Sequence, residues 1–276
     1  MNTNKLDASR QFGLIASQEL AASFASKRGL FVTGIFVRIW GFLLFYPIRL
    51  SAEAMHNPDI GSLMVSLLSL VGLEPLKNWL LAEFAIYWVV ALFLFPTFSL
   101  LIAADQMISE RNRGGLRFLT LRCSRGQIFF GRFIGHLSIQ GILLVITLAI
   151  TYLLLLINNS ENWLPGLQLL PLMFLNIMVS VLPFVALMSL LSILMNSVRM
   201  ASLMAIVILA LGSFIINYLA GYIPFLSLLN TWIPGVQLVH MAQSTPSIAL
   251  MSLWIPLMQT VGFLLIGYGI FRRQEI

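Results

Sequence analysis

Long blocks of apolar residues separated by short polar or basic intervals dominate the chain, at residues 31–49, 79–104, 137–157, 167–195, 200–220 and 250–271. Crossing a hydrocarbon core about 30 Å thick takes roughly 20 apolar residues at about 1.5 Å each, and these blocks reach that length. The pattern predicts an all-α integral membrane protein with six transmembrane helices. A seventh apolar run, 60–73, is too short for a full span and suits an interfacial or re-entrant helix. If it did span, every later loop would change sides.

Ahead of the first block, residues 10–26 read as a helix whose Phe12, Ile15, Ala16, Leu20 and Phe24 share one broad face, interrupted by Glu19. An interfacial elbow helix fits this face, and so does an ordinary solvated helix. Residues 1–27 carry Lys5, Asp7, Arg10 and Glu19 and lack the apolar core and cleavage site of a signal peptide, so the first span is expected to serve as the insertion signal. Between the last two spans, residues 222–249 hold Pro224, Pro234 and Pro246 and are too apolar for a freely solvated loop. Short helices dipping into one leaflet fit there, as does a packed loop covering helix ends. No internal repeat or linker divides the chain, which reads as an N-terminal elbow (1–28) followed by one membrane domain (29–276).

Charge assigns the sides. Of the 16 basic residues, Lys5, Arg10, Lys27, Arg28, Arg111, Arg113, Arg117, Arg122, Arg125, Arg132, Arg199, Arg272 and Arg273 fall on one side of the six-span topology. Only Arg49 and Lys77 fall on the other, with Arg38 inside the first span. The positive-inside rule then places both termini in the cytoplasm, and Trp79, Trp163, Trp232 and Trp254 near the outer interface. The same reasoning removes nucleic acid as the explanation of the net charge of +6, because 59% of the residues are hydrophobic and only 9% charged, against about 25% charged in soluble domains. The single cysteine, Cys123, excludes an internal disulfide and a cysteine metal site. His56, His136 and His240 stand apart, the 13 methionines are scattered, and no HExxH or Gly-x-Ser-x-Gly pattern occurs, so metal and catalytic chemistry find no support.

The most informative interval is 105–132, between the second and third spans. Gly114-Gly115 breaks any helix continuing from the second span, since glycine costs about 1 kcal/mol relative to alanine inside a helix. Residues 116–122 can then form a short separate helix, presenting Leu116, Phe118, Leu119 and Leu121 between flanking arginines. Ser124 and Gln127 match a capping box, predicting a new helix that Ile128, Phe129, Phe130 and Phe133 lead into the membrane. Anionic lipid headgroups alone account for the arginines, at about 1 kcal/mol per basic residue. The glycine break, apolar short helix and capped restart go beyond what lipid binding requires.

In this interval Glu110, Gly115-Leu116, Leu119, Leu121, Ser124-Arg125 and Gly131-Arg132 resemble the characteristic stretch of the ABC-2 type permeases, the membrane subunits of one class of ATP-binding cassette exporter. The family's Gly-Thr-Leu is Gly114-Gly115-Leu116 here, without the threonine. The N-terminal helix, the six spans and the segment before the last span extend the resemblance over nearly the whole chain.

The resemblance implies that 110–125 is a cytoplasmic coupling helix seated on an ATPase subunit, with Glu110, Arg111, Arg113, Gly115, Leu116, Phe118, Leu119, Arg122, Ser124 and Arg125 as its coupling residues. It also implies a re-entrant outer segment, two ATPase subunits, a second permease, identical or related, and a bacterial inner membrane. An accessory or periplasmic protein is a further expected partner, besides membrane lipid. The chain has no Gly-x-x-x-x-Gly-Lys-Ser/Thr loop, so ATP and its magnesium belong to the partner and this chain is not itself an enzyme and binds no cofactor.

Polar residues inside the spans are few. Arg38 carries an insertion penalty of roughly 2.5 to 3.5 kcal/mol at a helix centre, which a substrate or partner contact explains, and snorkelling to the nearer headgroups explains equally. Glu83 sits near the outer end of its span. Asn176, Ser180, Asn217 and Gln259 either line a cavity or hydrogen-bond neighbouring helices, at about 0.6 kcal/mol each. Two other functions remain open on residues alone: a secondary transporter driven by an ion gradient, and a membrane scaffold that recruits a cytoplasmic partner. The transported substrate has no signature in the sequence.

Overall fold

A computed structural model describes residues 27–48, 81–121 and 123–274, together with Gly13, Ser17 and Trp79. The expected elbow at 10–26 and the run at 60–73 therefore lie outside the described residues, apart from Gly13 and Ser17, both helical. In chain order the helices are α1 (Lys27–Leu43), α2 (Ala82–Ile102), α3 (Ile108–Asn112), α4 (Gly115–Thr120), α5 (Arg125–Asn158), α6 (Trp163–Leu194), α7 (Val198–Ala220), α8 (Val236–Ala242), α9 (Pro246–Ala249) and α10 (Trp254–Arg273). No strand occurs among the described residues. Among the described residues six helical stretches have the length and hydropathy to cross a bilayer: Gly29–Ile48, Ala82–Asn112, Arg125–Asn158, Ser160–Leu194, Val198–Ala220 and Trp254–Arg273. The chain is a multi-pass, all-α membrane protein.

The helix of the third span starts earlier than its apolar block. It begins at Arg125, because the helix that restarts at Ser124 runs unbroken for 34 residues through the apolar block. The capping box is present: Ser124 Oγ accepts from the Gln127 N–H, and Gln127 Oε1 accepts from the Ser124 N–H. The segment 222–249 folds into a 3₁₀ stretch, Pro224–Trp232, followed by α8 and α9, so its apolar residues are placed on short helices.

Helix α6 is the centre of the bundle, packing against α10, α2, α5 and α7, and its buried residues run from Gly166 to Ile193. Gly166 permits close approach, since a Cβ there would stand 2.4 Å from Leu155 Cδ2 on α5. Helix α1 docks along one edge through Phe36 and Trp40, whose rings pack on Phe95, Phe98 and Tyr87 of α2. The far end of the bundle is tied by polar side chains. Asn176 of α6 donates to the Pro246 carbonyl of α9 at 2.9 Å, and Trp88 Nε1 of α2 donates to the Met241 carbonyl of α8 at 3.0 Å. Gln259 of α10 donates to the Thr231 and Ile233 carbonyls at 2.6 and 3.2 Å.

Candidate functional site

At the arginine-rich end, the chain leaves α2 through a 3₁₀ turn, Ala103–Asp105, and makes two short helices before α5 begins. Asp105 starts α3 by accepting from the Ser109 N–H at 3.0 Å and from its hydroxyl, which satisfies donors at the helix start. Gly114 ends α3 with φ +72°, a left-handed conformation that costs a residue bearing Cβ roughly 1 kcal/mol or more. This sharp reversal lays α4 back across the end of the bundle.

Two faces of α4 differ in what they touch. Leu116 is 2% exposed and belongs to a small apolar cluster with Met107, Ile128, Phe129, Ile193 and Phe271, contributed by four different elements of the chain. Phe129 and Phe271 stack there with ring centroids 6.2 Å apart. Phe118 and Leu121, by contrast, are 72% and 83% exposed, and Arg113 and Arg117 are exposed beside them. Water does not favour two large apolar side chains held out in this way, and an apolar surface framed by cations is suited to a protein partner.

Arginines from the same interval grip the ends of three long helices. Arg111 donates from Nη1 to the Ile193 carbonyl at 2.5 Å and from Nη2 to the Met195 carbonyl, at the C-terminus of α6. Arg125 donates from Nη1 to the carbonyls of Phe271, Arg272 and Gln274 at 3.1, 2.8 and 2.7 Å, at the C-terminus of α10. The last carbonyls of a helix lack intrahelical donors and carry its negative dipole end, so a guanidinium there both fills vacant acceptors and is attracted electrostatically. Gln274 Nε2 donates to the Ile193 carbonyl at 3.3 Å, joining the two helix ends to each other.

The third grip is an ion pair. Arg132, 4% exposed on the first turns of α5, pairs with Glu110 of α3 and donates to the Gln106 carbonyl. Gln106 Oε1 in turn accepts from the Ser189 hydroxyl of α6 at 2.6 Å. Charge-assisted bonds of this kind are roughly twice as strong as neutral ones, and burial raises the penalty for losing either partner.

The structure thus brings Glu110, Arg111, Leu116, Leu119, Ser124 and Arg125 into one assembly around α3 and α4, with Gly115 opening α4 and Arg113 and Phe118 facing outward. Arg122 lies outside the described residues. Leu116 was expected on the apolar contact surface and instead anchors α4 from beneath. Sequence reasoning named Arg132 only among the basic residues and in the family-like Gly131-Arg132 pair, without a coupling role, and missed Gln106 and Ser189. Only Arg132 carried a signal, as a charge followed at once by a membrane-spanning apolar run.

The intramembrane candidates separate from this assembly. Asn176 is buried and donates to the Leu172 and Pro246 carbonyls, so it packs helices. Asn217 is exposed; it donates to the Ser213 carbonyl at 2.9 Å and accepts from Asn230 Nδ2 at 2.6 Å, tying α7 to the 3₁₀ stretch. Arg38 is exposed on α1 and distant from both. Glu83, expected within reach of water, is instead 4% exposed and accepts from Asn158 Nδ2 at 3.4 Å. Among the described residues no group of His, Cys, Asp and Glu is placed to hold a metal ion.

Residues 14–276 match the family described as ABC-2 family transporter protein. No curated protein matches the chain.

Proposed function

The chain belongs to the ABC-2 family of transporter membrane proteins, and from that premise we propose that it is the permease of an exporter powered by ATP hydrolysis on a separate subunit. In this reading the arginine-rich end faces the cytoplasm of a bacterial cell and both termini lie there, as the positive-inside rule expects. Two ATPase subunits bind a pair of permeases, this chain with an identical or related one. The ATP and magnesium are the partner's, and this chain supplies binding and gating.

One observation carries the proposal: a short helix displays Phe118 and Leu121 outward while its flanking arginines hold the ends of α6 and α10 and its neighbour Glu110 holds α5. A surface with these properties suits an element that receives force from a partner and passes it into the membrane helices. The ATPase seats on the outward face of α4. Its closure on ATP shifts α3 and α4 as a unit, and the grips on three helices turn that shift into a rearrangement of the bundle. The segment between α7 and α10 is proposed to re-enter the outer leaflet and cover the exit.

The test is capture of the partner. Affinity purification of the tagged chain in mild detergent should recover an ATPase with a phosphate-binding loop and vanadate-sensitive activity. Phe118→Asp combined with Leu121→Asp should lose that ATPase while the chain still inserts and purifies. Undiminished capture by the double variant would overturn the assignment of α4 as the contact.

A further inference from the structure

Arg38 occupies a position that the packing of a single chain does not explain. The first span runs Gly29–Ile48, and Arg38 stands near its midpoint, about 14 Å of helix rise from one end and 15 Å from the other. Phe36 and Trp40, two residues to either side, are the positions that pack on α2, so at 3.6 residues per turn Arg38 points to the opposite face, away from the bundle. Its side chain is exposed and, among the described residues, makes no hydrogen bond or ion pair.

The flanks of that face are open. Gly34 and Gly41 lie within roughly 60° of Arg38 around the helix, one turn below and one above, and a Cβ at either would meet nothing within 4 Å. Further along, Phe31, Ile35, Phe42 and Phe45 are exposed and apolar. An exposed guanidinium flanked by two side-chain-free positions, within an otherwise oily face, makes a polar point on an apolar wall.

Among the described residues no carboxylate pairs with it. The acidic residues in the described spans are Glu83 at the very start of α2, where it is buried, Asp105 and Glu110 at the arginine-rich end, and Glu161 just before α6. The same spans of a second copy would bring the same set. A central arginine costs roughly 2.5 to 3.5 kcal/mol to insert, and an unpaired one retains that penalty.

We propose that Arg38 is a binding site for the anionic group, phosphate or carboxylate, of an amphiphile whose apolar chain lies along the exposed face of α1. A planar guanidinium forks onto such a group through two parallel N–H···O bonds, and the desolvated setting strengthens both. The proposal deepens the transport reading by naming the chemical class of the passenger. A resident phospholipid and a transported amphiphile present the same chemistry to Arg38.

The experiment uses the full chain alone, without an ATPase, in nanodiscs of phosphatidylcholine, so its outcome is independent of whether α4 binds a partner. Dodecyl phosphate is titrated against dodecyl maltoside, and retention is counted by native mass spectrometry. The wild type should retain dodecyl phosphate at least about tenfold more tightly than Arg38→Gln does, with Arg38→Lys intermediate and dodecyl maltoside showing no such difference. An anionic phospholipid that co-purifies with the wild type and is displaced by dodecyl phosphate marks an exchangeable passenger site; one that resists displacement marks a resident headgroup. Equal retention of dodecyl phosphate by wild type and Arg38→Gln overturns the proposal. Should Arg38→Gln fail to purify, a wild type with no preference for dodecyl phosphate over dodecyl maltoside overturns it equally.

Discussion

Single residues at the arginine-rich end carry different kinds of energy, and substitutions separate them. Gly114 is conformational: a Cβ there meets nothing within 4 Å, yet its φ is +72°. Gly114→Ala should therefore destabilise by about 1 kcal/mol through backbone strain alone, and Gly114→Asn by less, since asparagine tolerates the left-handed region. Gly115, adjacent in sequence, has an ordinary φ, and its nearest contact, 3.6 Å from the Glu110 carbonyl oxygen, is normal packing, so Gly115→Ala should be close to neutral. Thermal unfolding of the purified chain in detergent would show the ordering; equal effects at the two glycines would remove the left-handed turn as the cause.

Arg132 is electrostatic. Arg132→Met leaves the partly exposed Glu110 carboxylate without its cation and the Gln106 carbonyl without its donor. Losing one partner of a fully buried pair costs about 3–5 kcal/mol, and because Glu110 keeps a third of its side chain exposed the expected loss is about 2–3 kcal/mol. The same unfolding measurement should show Glu110→Gln destabilised as well, since the amide can still accept from Arg132 but leaves the buried guanidinium without a counter-charge. An Arg132→Met protein that melts with the wild type would show the pair to be incidental.

Among the elements, α4 separates docking from folding. Leu116 is the anchor and Phe118 with Leu121 the outward pair. Leu116→Asp puts a charge into the cluster with Phe129 and Phe271, and should lower the yield of folded chain before it affects any partner. Phe118→Asp with Leu121→Asp should leave yield and melting unchanged and remove ATPase capture. Size-exclusion profiles of the two variants distinguish these outcomes, and an intact Leu116→Asp protein lacking only ATPase capture would move the contact surface to the buried face.

The elements also mark what could be read from sequence. The break at Gly114, the short helix and the capped restart at Ser124 were legible because each is decided within four residues. The six spans were legible because bilayer thickness imposes their length. The direction in which Leu116 points was not, since six residues of helix have too little periodicity to show a face. The targets of Arg111 and Arg125 were not either, because the carbonyls they grip lie 82 to 149 residues away in sequence. Composition signalled only that arginines gather at this end.

For the whole molecule, α6 is the member through which one end can act on the other. Its C-terminus is held by Arg111 and, through Gln274, by the end of α10, while nearer its other end Asn176 donates to Pro246 of α9. A close-packed helix moves as a rigid body, so a displacement of α3 and α4 should reappear at α9 provided the grips hold. Spin labels at Asn112 of α3 and Ile248 of α9, both exposed and neither on α4, would measure that displacement in a Cys123→Ser background with the ATPase bound. In the wild type, adding ATP and vanadate should change the distance distribution between the labels. In Arg111→Ala with Arg125→Ala the ATPase should still co-purify and still hydrolyse ATP, because neither arginine is on the outward face of α4, but the distance should no longer respond. Arg111→Lys and Arg125→Lys, which keep the charge and lose the fork onto two carbonyls, should respond in part. A full response in the alanine variant would mean that force enters the bundle through the Leu116 cluster and the Glu110–Arg132 pair alone, leaving the arginine grips as helix caps.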